Sequence, residues 1–224
     1  MSVLLLRLAA PMMSWGDESK FETRRTLREP TKSAVLGLIA AALGVKREDS
    51  AAWLSSPEIM TLRFGVRADK EGEVACDFHI AKGDQSNLTY RYYLHDAVFL
   101  AALESPDVEL LKRFEYAVTH PVFPLFLGRR SCPPTQPLCL GIRETDLLSA
   151  LRQEPSLAPG KNGDPMRIIT DAAPGEYDGA AVQRDNPVSF SRARREFDFR
   201  YVTLQKSVMP FRTSTEHDPM AELR

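Results

Sequence analysis

The segment Ala34-Val35-Leu36-Gly37-Leu38-Ile39-Ala40-Ala41-Ala42-Leu43 is apolar nearly all round, so a helix formed there has no face to give to water. Such a helix must pack against a sheet, and that requirement constrains the whole chain. Thr31 is placed to cap its start and Gly44 to end it in a left-handed turn. The run falls short of the roughly 18 or more apolar residues needed to span a bilayer. The opening run Val3-Leu4-Leu5-Leu6 has no basic residue before it and is interrupted by Arg7, so residues 3 to 9 read as a buried strand rather than a signal peptide. No membrane segment is expected.

The rest of the pattern supplies the sheet. Residues 60 to 67 alternate, with Met60, Leu62, Phe64 and Val66 on one face and Thr61, Arg63, Gly65 and Arg67 on the other. Val74 to Ile80 alternate in the same way and put His79 on the polar side. The intervening Asp69-Lys70-Glu71-Gly72 predicts a hairpin between the two. After a polar connection over 82–87, residues 90–103 read as one long extended segment. A helix follows Ser105-Pro106-Asp107 with the core stripe Val108, Leu111, Phe114, Ala117 and Val118, and Phe123 to Leu127 form a further strand. The order strand, helix, strand, strand, helix, strand predicts an α+β fold. Its main domain is ferredoxin-like over residues 1–141, with both helices on one sheet face and the other face open. Proline and glycine then break residues 142–224 into short pieces, predicting a small, loop-rich, mainly β domain. With 224 residues and 43% hydrophobic content, the chain can bury cores for one large or two small domains.

A formal net charge of -1 argues against indiscriminate coating of nucleic acid, so any polyanion site must come from local charge. Two loops supply it. One is Thr23-Arg24-Arg25-Thr26-Leu27-Arg28-Glu29-Pro30-Thr31-Lys32-Ser33; the other is Gly128-Arg129-Arg130-Ser131-Cys132 at the end of a strand. Guanidinium groups bind phosphate through a rigid fork of donors. The start of the apolar helix, with Lys32 and Ser33 in its first turn, offers free N–H groups and a positive dipole end for a phosphate, or is simply an ordinary capped helix. Arg192, Arg194, Arg195 and Arg200 mark either a second contact surface or a solvated strand.

Three cysteines, Cys76, Cys132 and Cys139, without close paired spacing support neither a disulfide framework nor a zinc site, and fit a reducing cytoplasm. The chain has no phosphate-loop or nucleophile-elbow motif, and neither metal nor cofactor is expected. The open sheet face, with Arg63, Arg67 and His79, could hold single-stranded RNA as RNA-recognition folds do, although their aromatic strand motif is missing. A metal-independent endoribonuclease would need a base, an acid and a cation, for which His79, His95, Tyr90, Tyr92, Tyr93 and Lys82 are the available groups. His120 at a helix end and His217 near the C-terminus have ordinary structural readings. A scaffold whose arginines meet acidic proteins is the third alternative.

Several of these residues together carry a resemblance. Leu6-Arg7-Leu8-Ala9, Pro11-Met12, Trp15-Gly16, Thr23-Arg24, Thr26, Arg28, Pro30-Thr31, Ser33, Leu36-Gly37-Leu38 and Leu43-Gly44 recur in order. Leu127-Gly128-Arg129-Arg130-Ser131-Cys132-Pro133, Pro137-Leu138 and Leu140-Gly141 complete a set that resembles the Cas-five family of RAMP proteins, in its type I-E form. The resemblance implies a RAMP (RRM-like) domain in the CRISPR surveillance complex Cascade, serving antiviral defence by gripping the 5′ handle of the guide RNA without cutting it. It implies contacts with the backbone subunit CasC and the large subunit CasA, and with target DNA only indirectly. Carried over by position, the handle site is Arg24, Arg28, Ser33, Arg129, Arg130 and Ser131, with Trp15 and Lys32 added. Lys32 stands where arginine is expected and Ala34 where glycine is. The family also projects a long β-hairpin thumb, whereas Lys82 to Thr89 looks too short for one.

Overall fold

The computed structural model describes residues 1–16, 22–82, 86–158 and 165–208. Strand β1 (Ser2–Ala9) is followed by the two-residue strands β2 (Met12–Met13) and β3 (Thr23–Arg24), then by helices α1 (Lys32–Leu43), α2 (Ser50–Leu54) and α3 (Pro57–Met60). Strands β4 (Arg63–Lys70), β5 (Glu73–Lys82), β6 (Ser86–His95) and β7 (Val98–Ser105) precede helix α4 (Val108–Thr119). Strand β8 (Cys139–Arg143), helix α5 (Leu147–Gln153) and strands β9 (Pro165–Asp171), β10 (Ala181–Phe190) and β11 (Arg195–Val208) complete the described chain.

The fold is mixed α/β, built on a seven-stranded antiparallel sheet in the order β10-β11-β9-β4-β7-β1-β8. Strand β1 lies between β7 and the edge strand β8 and is buried on both faces, which explains its unbroken apolar run. Leu4, Leu6 and Leu8 point into a core shared with α1 and α4, while Val3 and Leu5 point into a second core under α5. Helix α1 is capped as its sequence predicts: Thr31 Oγ1 accepts from Ala34 N–H, and the left-handed Gly44 returns its N–H to Ala41 O. In α4 the buried stripe is Leu110, Leu111, Phe114, Ala117 and Val118, with Leu110 in the place expected for Val108, which is exposed. Met60 likewise ends α3 on the surface instead of opening a strand.

Three other expectations are corrected. Strand β4 does not form a hairpin with β5; it pairs with β7 and β9, and β5 pairs with β6 over ten residues of each strand. Residues 90–103 are two strands, separated at Asp96, whose positive φ of 52° reverses the chain between the sheets. Together β5 and β6 make a hairpin of ten paired residues in each strand. Finally, the second sheet face is not open. Leu147, Ala150 and Leu151 of α5 pack on Val3, Leu5, Leu100, Ala102 and Ile168.

Arg67 shows why that face closes. Expected on a solvated basic surface, it is 1% exposed and forms a two-pronged pair with Asp69 at 2.7 and 2.9 Å. Its remaining N–H groups donate to the carbonyls of Leu151, Glu154 and Pro155, capping the C-terminal end of α5. Arg63 pairs with Glu104 at 2.8 Å on the same face. Beyond this face, β9 docks on the free edge of β4, so that residues after 142 extend the same sheet.

Arg67→Ala would leave Asp69 buried without its cation and the α5 carbonyls uncapped, and is expected to cost about 3–5 kcal/mol in urea denaturation. Arg194→Ala, at an exposed pair, should stay within about 0.5 kcal/mol. A loss below about 1 kcal/mol for Arg67→Ala would contradict the capping role.

Candidate nucleic-acid interface

The turn after Leu127 is anchored from below. Leu127 and Cys132 are buried, Leu127 N–H donates to Cys132 O at 2.7 Å, and Cys132 N–H donates to Arg129 O at 2.9 Å. Gly128 has a φ of 86°, and a Cβ there would stand 1.6 Å from Ser14 O. Only glycine lets the turn close against the loop after β2. That loop is cross-braced in its turn: Trp15 N–H donates to Thr26 Oγ1, Leu27 N–H to Trp15 O, and the Trp15 ring lies edge-on to Phe99 in the core. Strand β3 runs parallel to β6, with Arg24 opposite Arg91, so the loop bearing Arg24 rests against the middle of β6.

Arg129 joins the two basic loops. Its guanidinium donates to Arg24 O at 3.0 Å and lies 4.4 Å above the Tyr93 ring, while its other terminal nitrogen is buried with no partner among the described residues. Arg24 and Arg130 are exposed beside it. Both loops open into one groove of about 1280 Å³, lined by Arg24, Ser33, Arg129 and Arg130 among others. Of the other residues considered from sequence, Arg28 and Ser131 are exposed outside the lining. Trp15 is core.

Lys32 is withdrawn altogether. Its ammonium donates to Leu62 O at 2.9 Å and pairs with Asp171 at 3.0 Å, while its backbone N–H donates to Asp185 Oδ2 at 2.8 Å. The phosphate seat expected at the α1 N-terminus thus already holds a carboxylate of the chain itself. Arg200 completes the cluster, bonded to both Asp185 and Asp171. Burial works to lower its pKa, and the two carboxylates outweigh burial and raise it above the ordinary arginine value.

Two walls of the groove were not expected. Lys46 and Arg47 come from the turn after α1, and Phe190, Arg192, Arg195 and Phe197 come from the β10–β11 turn. Local arginine excess was the only sequence signal for the second. The two candidate nuclease histidines do not converge. His79 is opposite Thr89 and His95 opposite Glu73, six steps apart on the hairpin, or roughly 20 Å at strand rise. His79 bonds Asp77 at 2.8 Å, Tyr93 lies under Arg129, and His120 stacks on Tyr116. His217 lies outside the described residues.

The model for the family described as CRISPR-associated protein (Cas_Cas5) matches residues 3–203. The CRISPR system Cascade subunit CasD of Escherichia coli (strain K12) is 38% identical over 160 residues, covering 62% of this chain and 70% of that protein. Among solved structures, a chain of a CRISPR RNA-guided surveillance complex aligns with a TM-score of 0.74 at 29% identity, covering 93% of this chain and 91% of that one. A second, a crystal structure of a Cas protein, aligns with a TM-score of 0.69 at 34% identity, covering 93% and 98%.

Gly128→Ala is expected to cost at least about 1–3 kcal/mol from the left-handed backbone alone and to part the two loops. Cysteine reactivity reads this directly. Cys76 is exposed, whereas burial pushes the thiols of Cys132 and Cys139 up, so a thiol reagent near neutral pH should modify Cys76 first and Cys132 slowly. Gly128→Ala should speed modification of Cys132; an unchanged rate with unchanged stability would contradict the loop junction described.

Proposed function

This chain belongs to the CRISPR-associated Cas5 family, and we propose that it is the Cascade subunit that binds and caps the 5′ handle of the guide RNA in antiviral defence. The observation that carries this reading is the groove in which Arg24, Arg129 and Arg130 meet, although residues 24 and 129 are far apart in sequence. In an almost neutral chain, such a concentration of guanidinium groups favours a polyanion, and a groove open to solvent suits a single strand. Arg28 and Ser131, exposed at the ends of the same loops, complete the proposed handle site.

The protein acts without catalysis in this reading. The separation of His79 from His95 keeps the two histidines from acting as acid and base on one phosphodiester, which weighs against a repeat-processing endoribonuclease. The strands β8-β1-β7-β4, with α1 and α4 on one side, we read as a ferredoxin-like RAMP core. We take residues 1–141 as the unit that grips RNA and 142–224 as its β extension. The β5–β6 hairpin is read as the family's thumb, its exposed Val74, Phe78, Ile80, Leu88 and Tyr90 meeting the backbone subunit CasC, with the large subunit CasA on another face. No helix among the described residues is long and apolar enough to cross a membrane; the proposed place of action is the cytoplasm.

Titration of handle-bearing RNA at several salt concentrations tests the site. Alanine at Arg24, Arg28 or Arg130 should weaken binding for all handle sequences and flatten the dependence of log K on log salt by roughly 0.7 for each phosphate no longer neutralised. Arg129→Ala should do the same and loosen the loops as well. The protein incubated with repeat RNA in EDTA should leave it intact. Unchanged affinity in all four variants, or specific cleavage lost on changing His79 or His95, would overturn the reading.

A further inference from the structure

Among the walls of the groove, the β10–β11 turn is the one furthest in sequence from the two basic loops, and it has the composition of a single-strand contact. Phe190, Arg192, Arg195 and Phe197 all face the groove. The turn is not loosely hung. Phe190 N–H donates to Ser50 Oγ at 3.0 Å, and the Phe190 ring lies where a Cβ on Gly37 of α1 would be 3.6 Å away. Beneath it, Asp185 of β10 and Arg200 of β11 are paired in the buried cluster. Strand β10 is therefore held against α1 and α2, and β11 is tied to β10, before any ligand arrives.

The charges of the turn sort by direction. Arg194, which does not line the groove, is paired with Glu196 at 2.8 Å. Arg192 and Arg195, which do, are exposed, and neither has a side-chain hydrogen bond or ion pair among the described residues. Two unpaired guanidinium groups and a half-buried aromatic ring on one wall match what an unpaired strand needs, phosphate neutralisation beside a surface on which any base can stack.

We propose that the β10–β11 turn is a second RNA-contact element of this groove, with Arg192 and Arg195 taking backbone phosphates and Phe197 stacking an unpaired base. The inference rests on the reading that the groove holds the guide RNA and adds to it the wall opposed in sequence to the basic loops. The strand is thereby met by residues from both ends of the chain, which couples the β extension to RNA binding.

The test uses the full chain and a fluorescently labelled, single-stranded RNA carrying the handle sequence, titrated by anisotropy over a salt series. Arg192→Ala with Arg195→Ala should flatten the salt dependence by about 1.4 in log K per log salt, two phosphates at roughly 0.7 each. Phe197→Leu should weaken binding by between about 5-fold and 150-fold at an unchanged slope, and Phe197→Tyr should restore it. Melting temperatures of the arginine variants should match the parent, since both side chains are exposed. Parental slope and affinity in the double variant, while Arg24→Ala and Arg130→Ala flatten the slope, would overturn this inference and leave the groove reading standing. Parental binding in all of these arginine variants would overturn both.

Discussion

Asp171 on β9 and Asp185 on β10 are buried carboxylates held by Arg200 on β11 and Lys32 on α1, and the site depends on this cluster more than on any other contact. Two acids and two bases leave no net charge in the core, the condition under which burial of ions is tolerated. Removing any one member would leave an uncompensated buried charge among the other three. Because the four residues come from four elements, the cluster also sets where α1 lies on the sheet and where the β10–β11 turn projects. Both form walls of the groove. The helix N-terminus, which physical reasoning alone would offer to a phosphate, is used instead to hold this frame together.

The groove is then defined by a second brace. Gly128 closes against Ser14, Thr26 Oγ1 takes the Trp15 N–H, and Arg129 ties the turn to Arg24 while stacking on Tyr93. Arg129 is thus both a structural post and a source of positive charge. Exposed Arg24 and Arg130 are left free to meet a ligand. The chain keeps its charge near zero overall, so in the proposed reading attraction for a polyanion comes from the local charge of this groove and not from the surface at large. The β5–β6 hairpin has a different chemistry, with one apolar and exposed face where Phe78 meets Tyr90 edge-on.

Much of this is legible from residues alone, and the failures have physical causes. Unbroken apolarity in Ala34–Leu43 demands burial on all sides, and Thr31 and Gly44 mark its ends, as observed. The two arginine loops announce themselves by local charge. Strand partners do not, because alternation identifies a strand without saying what it pairs with; β4 and β5 both alternate, yet lie in different sheets. Arg67 reads as solvated only while its partner is overlooked, although Asp69 stands two residues on, on the same face of the strand. The burial of Lys32 depends on Asp171 and Asp185, more than a hundred residues away, which no local pattern reveals. For the same reason the β10–β11 turn can be recognised as basic but not as a wall of the groove.

The central claim, that the groove holds guide RNA, is tested most directly by photo-cross-linking. Handle RNA bearing 4-thiouridine at successive positions would be assembled with the full chain, irradiated, and the adducts mapped by mass spectrometry. The account predicts adducts in residues 22–33, 124–134 and 190–197, the segments that line or border the groove. Adducts confined to the outer surface of α4 or to the α5 face of the sheet would contradict it.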